Sequence, residues 1–207
     1  MLPEQILPLN IAYEDEDLMI IDKPSGILAH PNSDETVEAD LESMVAEKIG
    51  RRPTLFHRLD RETSGLLILG KTRRLNESMR KLFDEHKIRK SYLVVVEGQW
   101  PAGLNRLEGN AEDGRAMLST CRVLKAADDW TLLEFLIKTG RRHQIRLQCK
   151  ASGHPVWGDV RYGARPAHDR WIALHCAELR FTHPLSQRLV TVESKRPKLW
   201  KPEWLIK

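Results

Sequence analysis

Between Gly65 and Gly70 the chain places four aliphatic residues in succession, Leu66-Leu67-Ile68-Leu69. The run is too short for a helix and has no polar side, so it predicts a strand covered by protein on both faces. Such a strand needs a sheet with further layers packed on it. Directly upstream lies His57-Arg58-Leu59-Asp60-Arg61-Glu62-Thr63-Ser64. Asp60 is thereby placed where buried sheet gives way to a polar loop, a common position for site residues. A carboxylate set between guanidinium groups and partly shielded from water can serve as a nucleophile or a cation stabiliser. The same residues also suit an ordinary structural Asp–Arg pair at a strand end.

The remaining elements are read from periodicity. Asn10–Tyr13 and Leu18–Asp22 are predicted strands joined by the acidic turn Glu14-Asp15-Glu16-Asp17. Lys23-Pro24-Ser25-Gly26 and His30-Pro31 bound a rigid loop expected to present Lys23 and His30. Thr36–Ile49 has a helical apolar face that Gly50 ends. Thr72 is placed to cap a helix carrying Leu75, Met79, Leu82 and Phe83. Strands are predicted at Ser91–Glu97, Ser119–Leu124, Thr131–Ile137, Trp171–Phe181 and Arg188–Glu193, and a helix at Arg142–Ala151 with Gly153 as its stop. Pro101–Arg115 reads as irregular, and Lys195–Lys207 as an irregular arm packing back on the body. Few of these strands are separated by a helical crossover long enough for a parallel unit. The expected fold is therefore α+β: a mixed, mostly antiparallel central sheet flanked by helices and loops, with a central cleft.

With 207 residues, 41% of them hydrophobic, the chain is expected to bury an ordinary core as one domain spanning 1–207, with no separate domain before Asn10. Cys121, Cys149 and Cys176 are an odd, widely spaced set, which suits reduced packing residues in a cytoplasmic protein. No signal-like start and no apolar stretch of spanning length is present, so no membrane association is expected. Charge is unevenly spread. Residues 1–50 hold 12 acids and 2 bases, whereas residues 51–207 hold 17 acids and 31 bases. That imbalance points to a polyanionic partner for everything after the first quarter.

Three clusters could form one site: Asp60, Tyr92 on its strand, and Gly140-Arg141-Arg142-His143-Gln144-Ile145-Arg146 at a helix start. Taken singly, Tyr92 suits a core aromatic, and His143 and Gln144 suit a helix cap. His57-Arg58-Leu59-Asp60-x-x-Thr63-Ser64-Gly65 closely resembles the catalytic motif of the RluA-type RNA pseudouridine synthases. Lys23-Pro24-x-Gly26 with His30-Pro31, Lys90-x-Tyr92, Thr139-Gly140-Arg141-x-His143-Gln144-Ile145-Arg146, Gly153-His154-Pro155, Gly158-Asp159-x-x-Tyr162-Gly163 and Leu174-His175-x-Ala177-x-x-Leu179-x-Phe181-x-His183-Pro184 resemble its other motifs, in the family's order. The resemblance implies conversion of uridine to pseudouridine in ribosomal or transfer RNA by a monomer, without cofactor, metal or obligate protein partner. It implies Asp60, Tyr92 and Arg146 as catalytic residues. Arg58, filling the space a flipped nucleotide leaves, would bind substrate together with His57, Arg141, His143, Gln144 and Leu174.

That chemistry suits the residues. Breaking the bond from ribose C1′ to N1 creates oxocarbenium-like character that a carboxylate stabilises or traps. The base must leave its stack to turn, and Tyr92 offers a flat face for it and a phenol near the proton leaving C5. Two other readings use the same residues. A nucleoside or RNA glycosidase could pair Asp60 with Glu62 if a strand reached both, at ~6–7 Å. A non-catalytic RNA-binding module could keep the fold.

Overall fold

A computed structural model describes residues 9–31, 39–167, 171–195, 197 and 200. Ten strands, β1 (Ile11–Glu14), β2 (Leu18–Lys23), β3 (Thr54–Leu55), β4 (Ser64–Gly70), β5 (Arg89–Glu97), β6 (Arg106–Asn110), β7 (Ala116–Ala126), β8 (Trp130–Ile137), β9 (Leu174–Thr182) and β10 (Leu189–Glu193), form one sheet. Its order is β1-β2-β4-β9-β5-β8-β7-β6, with β3 added to β4 and β10 to β9. Among the described residues three α-helices, α1 (Leu41–Ile49), α2 (Arg73–Asp84) and α3 (Gln144–Ala151), accompany the sheet in an α+β architecture. Every pairing between strands is antiparallel except that of β4 with β9.

The aliphatic run behaves as its composition requires, since all seven residues of β4 are buried. On β5, Val94 and Val96 enter the main core while Val95 enters a smaller cluster with Leu132, Trp171, Ala173 and Trp200 on the other face. This two-residue alternation puts Lys90 and Tyr92 on the side of the main core.

The parallel join is short. Ser64 pairs with His175 and Gly65 with Cys176, after which β3 takes over the edge of β4 and β10 that of β9. Gly65 has φ +108°, and a Cβ there would lie 2.3 Å from the Cys176 carbonyl oxygen. Only glycine lets the strands approach so closely. A bulge also sits here: Ser91 of β5 faces Glu178 and Tyr92 faces Cys176, leaving Ala177 as the extra residue of β9. The cleft opens over this junction.

Helix ends follow local chemistry. Asp40 caps α1 by accepting from the Ser43 N–H at 2.9 Å, and Gly50 ends it in the left-handed region. The part of the expected helix at 36–38 lies outside the described residues. Thr72 holds the cap position of α2, but its hydroxyl bonds the Asp17 carboxylate instead of a helix N–H.

Several expectations change. Pro101–Arg115 is not wholly irregular, because Arg106–Asn110 forms β6 on β7. Only Leu107 of that strand is buried, so no alternation marked it. The helix expected from Arg142 starts at Gln144, because His143 takes φ 54° just before it. Trp171–Ala173 lie before β9, not within it. Lys23 is not presented to solvent but fully buried, its Nζ donating to the carbonyls of Pro24, Ile27 and Arg61. In the C-terminal arm Trp200 is buried, and residues 201–207 lie outside the described residues.

Candidate active site

A cleft of about 850 Å³ is lined by all nine residues singled out above: Asp60, Tyr92, Arg146, Arg58, His57, Arg141, His143, Gln144 and Leu174. They arrive from the β3–β4 loop, β5, the start of α3 and the start of β9. Their polar atoms do not all face the space.

Asp60 is in the turn before β4, not on the strand, and its carbonyl accepts from the Thr63 N–H at 3.1 Å. The expected face shared by Asp60 and Glu62 along a strand therefore does not exist. Instead both carboxylates meet one guanidinium: Arg146 Nη1 is 3.1 Å from Asp60 Oδ2 and 3.4 Å from Glu62 Oε2. The flanking Arg58 is exposed, and its Nη1 lies 3.2 Å from His30 Nε2.

Arg146 is the fixed point of the site. Its Nε and Nη2 donate to the two oxygens of Asp159 at 2.7 and 2.8 Å, with both side chains almost wholly buried. The remaining nitrogen is thus aimed at Asp60 by a bidentate clamp. Burial opposes the charge on Arg146, but the Asp159 carboxylate and then Asp60 outweigh it and raise its pKa. Tyr162 backs the arrangement. Its ring centre lies 5.1 Å from the Arg146 guanidinium carbon, and its hydroxyl lies 2.6 Å from His143 Nδ1. The other His143 nitrogen is 3.6 Å from Asp60 Oδ1. Burial lowers the His143 pKa against the pull of Asp60, so near neutral pH this contact is dipolar and not an ion pair.

Tyr92 is 6% exposed. Burial first, then the neighbouring Cys176 and the charge of Asp60, push its phenol well above the ordinary range. It can offer a ring face and an O–H donor, but a phenolate base is not available at rest.

Two of the nine support the site from behind. His57 Nε2 accepts from the Ile68 N–H at 3.0 Å and its ring packs 5.2 Å from that of Phe83. It plugs the edge of β4 between the stretches paired with β3 and β9, and burial lowers its pKa to about 3. Gln144 Oε1 accepts from Thr139 Oγ1 and the Arg141 N–H, while its Nε2 donates to the Leu118 carbonyl and Ser119 Oγ. That arrangement folds the 139–144 loop.

Lys23 braces the turn from below. Three carbonyls receive its amine, matching the three donors of an ammonium. Burial lowers its pKa to about 7, with Asp60 and Glu62 pulling the other way. Asp159 and Tyr162 have no role in the sequence reading beyond membership of a motif, and Lys23 is expected there to be presented by its loop, not to brace the turn. The one visible signal was a carboxylate, Asp159, set in the apolar stretch Pro155-Val156-Trp157-Gly158. Among the described residues no group of three or more His, Cys, Asp or Glu is placed to hold a metal, and no helix is long and apolar enough to cross a membrane.

A carboxylate held by a buried guanidinium beside a buried tyrosine, in a basic cleft of an α+β sheet, suits an enzyme of a polyanionic substrate. Residues 17–151 match the RNA pseudouridylate synthase family. Ribosomal large subunit pseudouridine synthase D of Zymomonas mobilis is 32% identical over 93% of this chain and 71% of its own length. Ribosomal large subunit pseudouridine synthase C of Vibrio vulnificus is 32% identical over 89% of this chain and 64% of its own. Among solved structures, human RNA pseudouridylate synthase domain containing 1 superposes with a TM-score of 0.77 at 24% identity, covering 96% of this chain and 88% of that one. The chain belongs to the RNA pseudouridine synthase family, whose members are isomerases converting uridine in RNA to pseudouridine.

Proposed function

We propose that the chain isomerises uridine in ribosomal large subunit RNA, with Asp60 as the residue that meets ribose C1′. The supporting observation is the Asp159–Arg146–Asp60 line, which fixes one carboxylate at the floor of the cleft beside Tyr92. The names of the two bacterial relatives support the ribosomal substrate. A target uridine flipped into the cleft sets its base on Tyr92 and its C1′ toward Asp60. As the C1′–N1 bond breaks, the carboxylate stabilises or traps C1′, and Arg146 keeps it oriented. The base turns, C5 bonds to C1′, C5 loses its proton and N1 gains one, so the product is an isomer. Arg58, Arg141 and Leu174 line the space, and in this reading the exposed Arg58 enters the gap left in the RNA. The same reading takes the protein to act as a monomer in the cytoplasm.

Asp60→Asn keeps the shape and removes the charge. It is expected to fold, to bind RNA, and to release no tritium from RNA labelled at uridine C5, a loss of at least several kcal/mol in the transition state. Unchanged release from this variant removes Asp60 from the reaction. Free uracil and an abasic site as products would instead identify a glycosidase.

A further inference from the structure

Lys90 is among the cleft cations that the chemistry above leaves unused. Lys90 shares the cleft-facing side of β5 with Tyr92 and lines the cleft with it. Its Nζ lies 5.4 Å from the centre of the Phe83 ring, and a Cβ on Gly140 would come within 3.5 Å of it. Arg146 and Lys71 are matched by carboxylates, but Lys90 has no ion pair and no hydrogen bond among the described residues. A partly buried cation that packs on an aromatic face but has no carboxylate or carbonyl partner among the described residues keeps its N–H donors for a group that arrives with the substrate.

We propose that Lys90 is a catalytic residue whose ammonium group hydrogen-bonds a carbonyl oxygen of the target uracil and stabilises the negative charge the base gains when it leaves C1′. This rests on the roles given above to Asp60 and Tyr92. The electron pair of the C1′–N1 bond departs with N1 and spreads onto O2 and O4. Asp60 answers the positive end of that separation, and a cation at the carbonyl edge answers the negative end. When C5 bonds to C1′ and loses its proton, N1 takes one up and the charge disappears. The placement suits this. Asp60 is held by Arg146 and faces His143, and among the described residues no ion pair joins it to Lys90, so the ammonium lies beyond ion-pair distance of the carboxylate. Same-face positions two residues apart are separated by ~6–7 Å, comparable to the reach from C1′ across a uracil ring.

Burial also lowers the Lys90 pKa. Lys90 acts on His57 and is acted on by Cys176 of β9, and the other titratable or charged groups that line the cleft include Asp60, Tyr92, Asp84 and His86 at the end of α2, and Arg141 and Arg142 before α3. No carboxylate offsets the effect within ion-pair distance.

The test compares wild type, Lys90→Met and Lys90→Arg on RNA labelled with tritium at uridine C5. Lys90→Met should fold with an unchanged or higher Tm, bind RNA almost as wild type, and lose ~10²–10³-fold in kcat. Arginine stays charged at every working pH, so Lys90→Arg should restore part of kcat and move its alkaline limb to higher pH. A phosphate contact would behave differently: KM rises, the slope of log affinity against log salt drops by about one, and kcat holds. That pattern, or a Lys90→Met variant as fast as wild type, overturns the proposal. If the methionine variant does not fold, an arginine variant with an unmoved alkaline limb overturns it equally. Failure of the underlying reading shows separately, as a wild-type protein that releases no tritium.

Discussion

Asp159→Asn tests what holds the site together. The substitution removes the charge behind Arg146, whose side chain is 3% exposed against 1% for Asp159. Two bonds to a carboxylate at 2.7 and 2.8 Å are reduced at best to one bond from the guanidinium to an uncharged amide oxygen. Removing one partner of a buried ion pair typically costs ~3–5 kcal/mol. Here Arg146 keeps Asp60 and Glu62 at 3.1 and 3.4 Å. Those side chains are 22% and 38% exposed and screened by solvent, so they compensate in part and ~2–4 kcal/mol is expected. For a chain of this size that corresponds to a Tm lower by ~5–15 °C. Urea and thermal unfolding measure the loss, and tritium release should fall with it because Asp60 loses its fixed partner. A double variant, Asp159→Leu with Arg146→Met, should regain much of the stability while remaining inactive, since well-packed apolar pairs often replace buried ion pairs without loss. An Asp159→Asn protein within ~0.5 kcal/mol of wild type by both methods would show that something else holds the guanidinium.

Gly65→Ala should lose more than ~3 kcal/mol or fail to accumulate, because its Cβ would meet the Cys176 carbonyl at 2.3 Å in a backbone region hostile to side chains; a soluble variant with wild-type Tm would refute the close approach of β4 and β9. Acid should destabilise the fold through buried histidines. The pKa of His57 is lowered by burial from 6.5 to about 3, and that of His175 to about 4. Below pH 6.5 the unfolded chain therefore binds protons that the folded one refuses. Stability is full above about 6.5 and is lost as pH falls toward 4 and below, with a shallower decline in His57→Gln; a urea midpoint that stays flat over that window contradicts it.

Where the sequence was legible, the cause was local. Four aliphatic residues between glycines can only be buried sheet, and β4 is buried throughout. Asp40 and Gly50 fix α1 by capping chemistry carried within a few residues. The convergence of Asp60, Tyr92 and Arg146 was readable only through motif order. Nothing in the spacing of residues 60 and 146 implies a 3.1 Å contact.

What stayed hidden was made by tertiary structure. The parallel join of β4 and β9 unites residues 64–65 with 175–176, and no periodicity reports a pairing across that distance. β6 was missed because an edge strand with a single buried residue reads like a loop. The resemblance implies His57 and Gln144 as substrate-binding residues, yet each completes backbone bonds that the chain leaves open, one on β4 and one in the 139–144 loop. Lys23 is the reverse case. A lysine in a Pro-Gly loop predicts an exposed cation, but three carbonyls converge on its buried amine and tie Pro24, Ile27 and Arg61 together. The Asp60 turn is therefore held by two buried cations from distant segments, Arg146 through the Asp60 carboxylate and Lys23 through the Arg61 carbonyl. Each cation is neutralised or fully hydrogen-bonded inside the protein. Lys90 is not, and that difference separates a brace from a group kept for substrate.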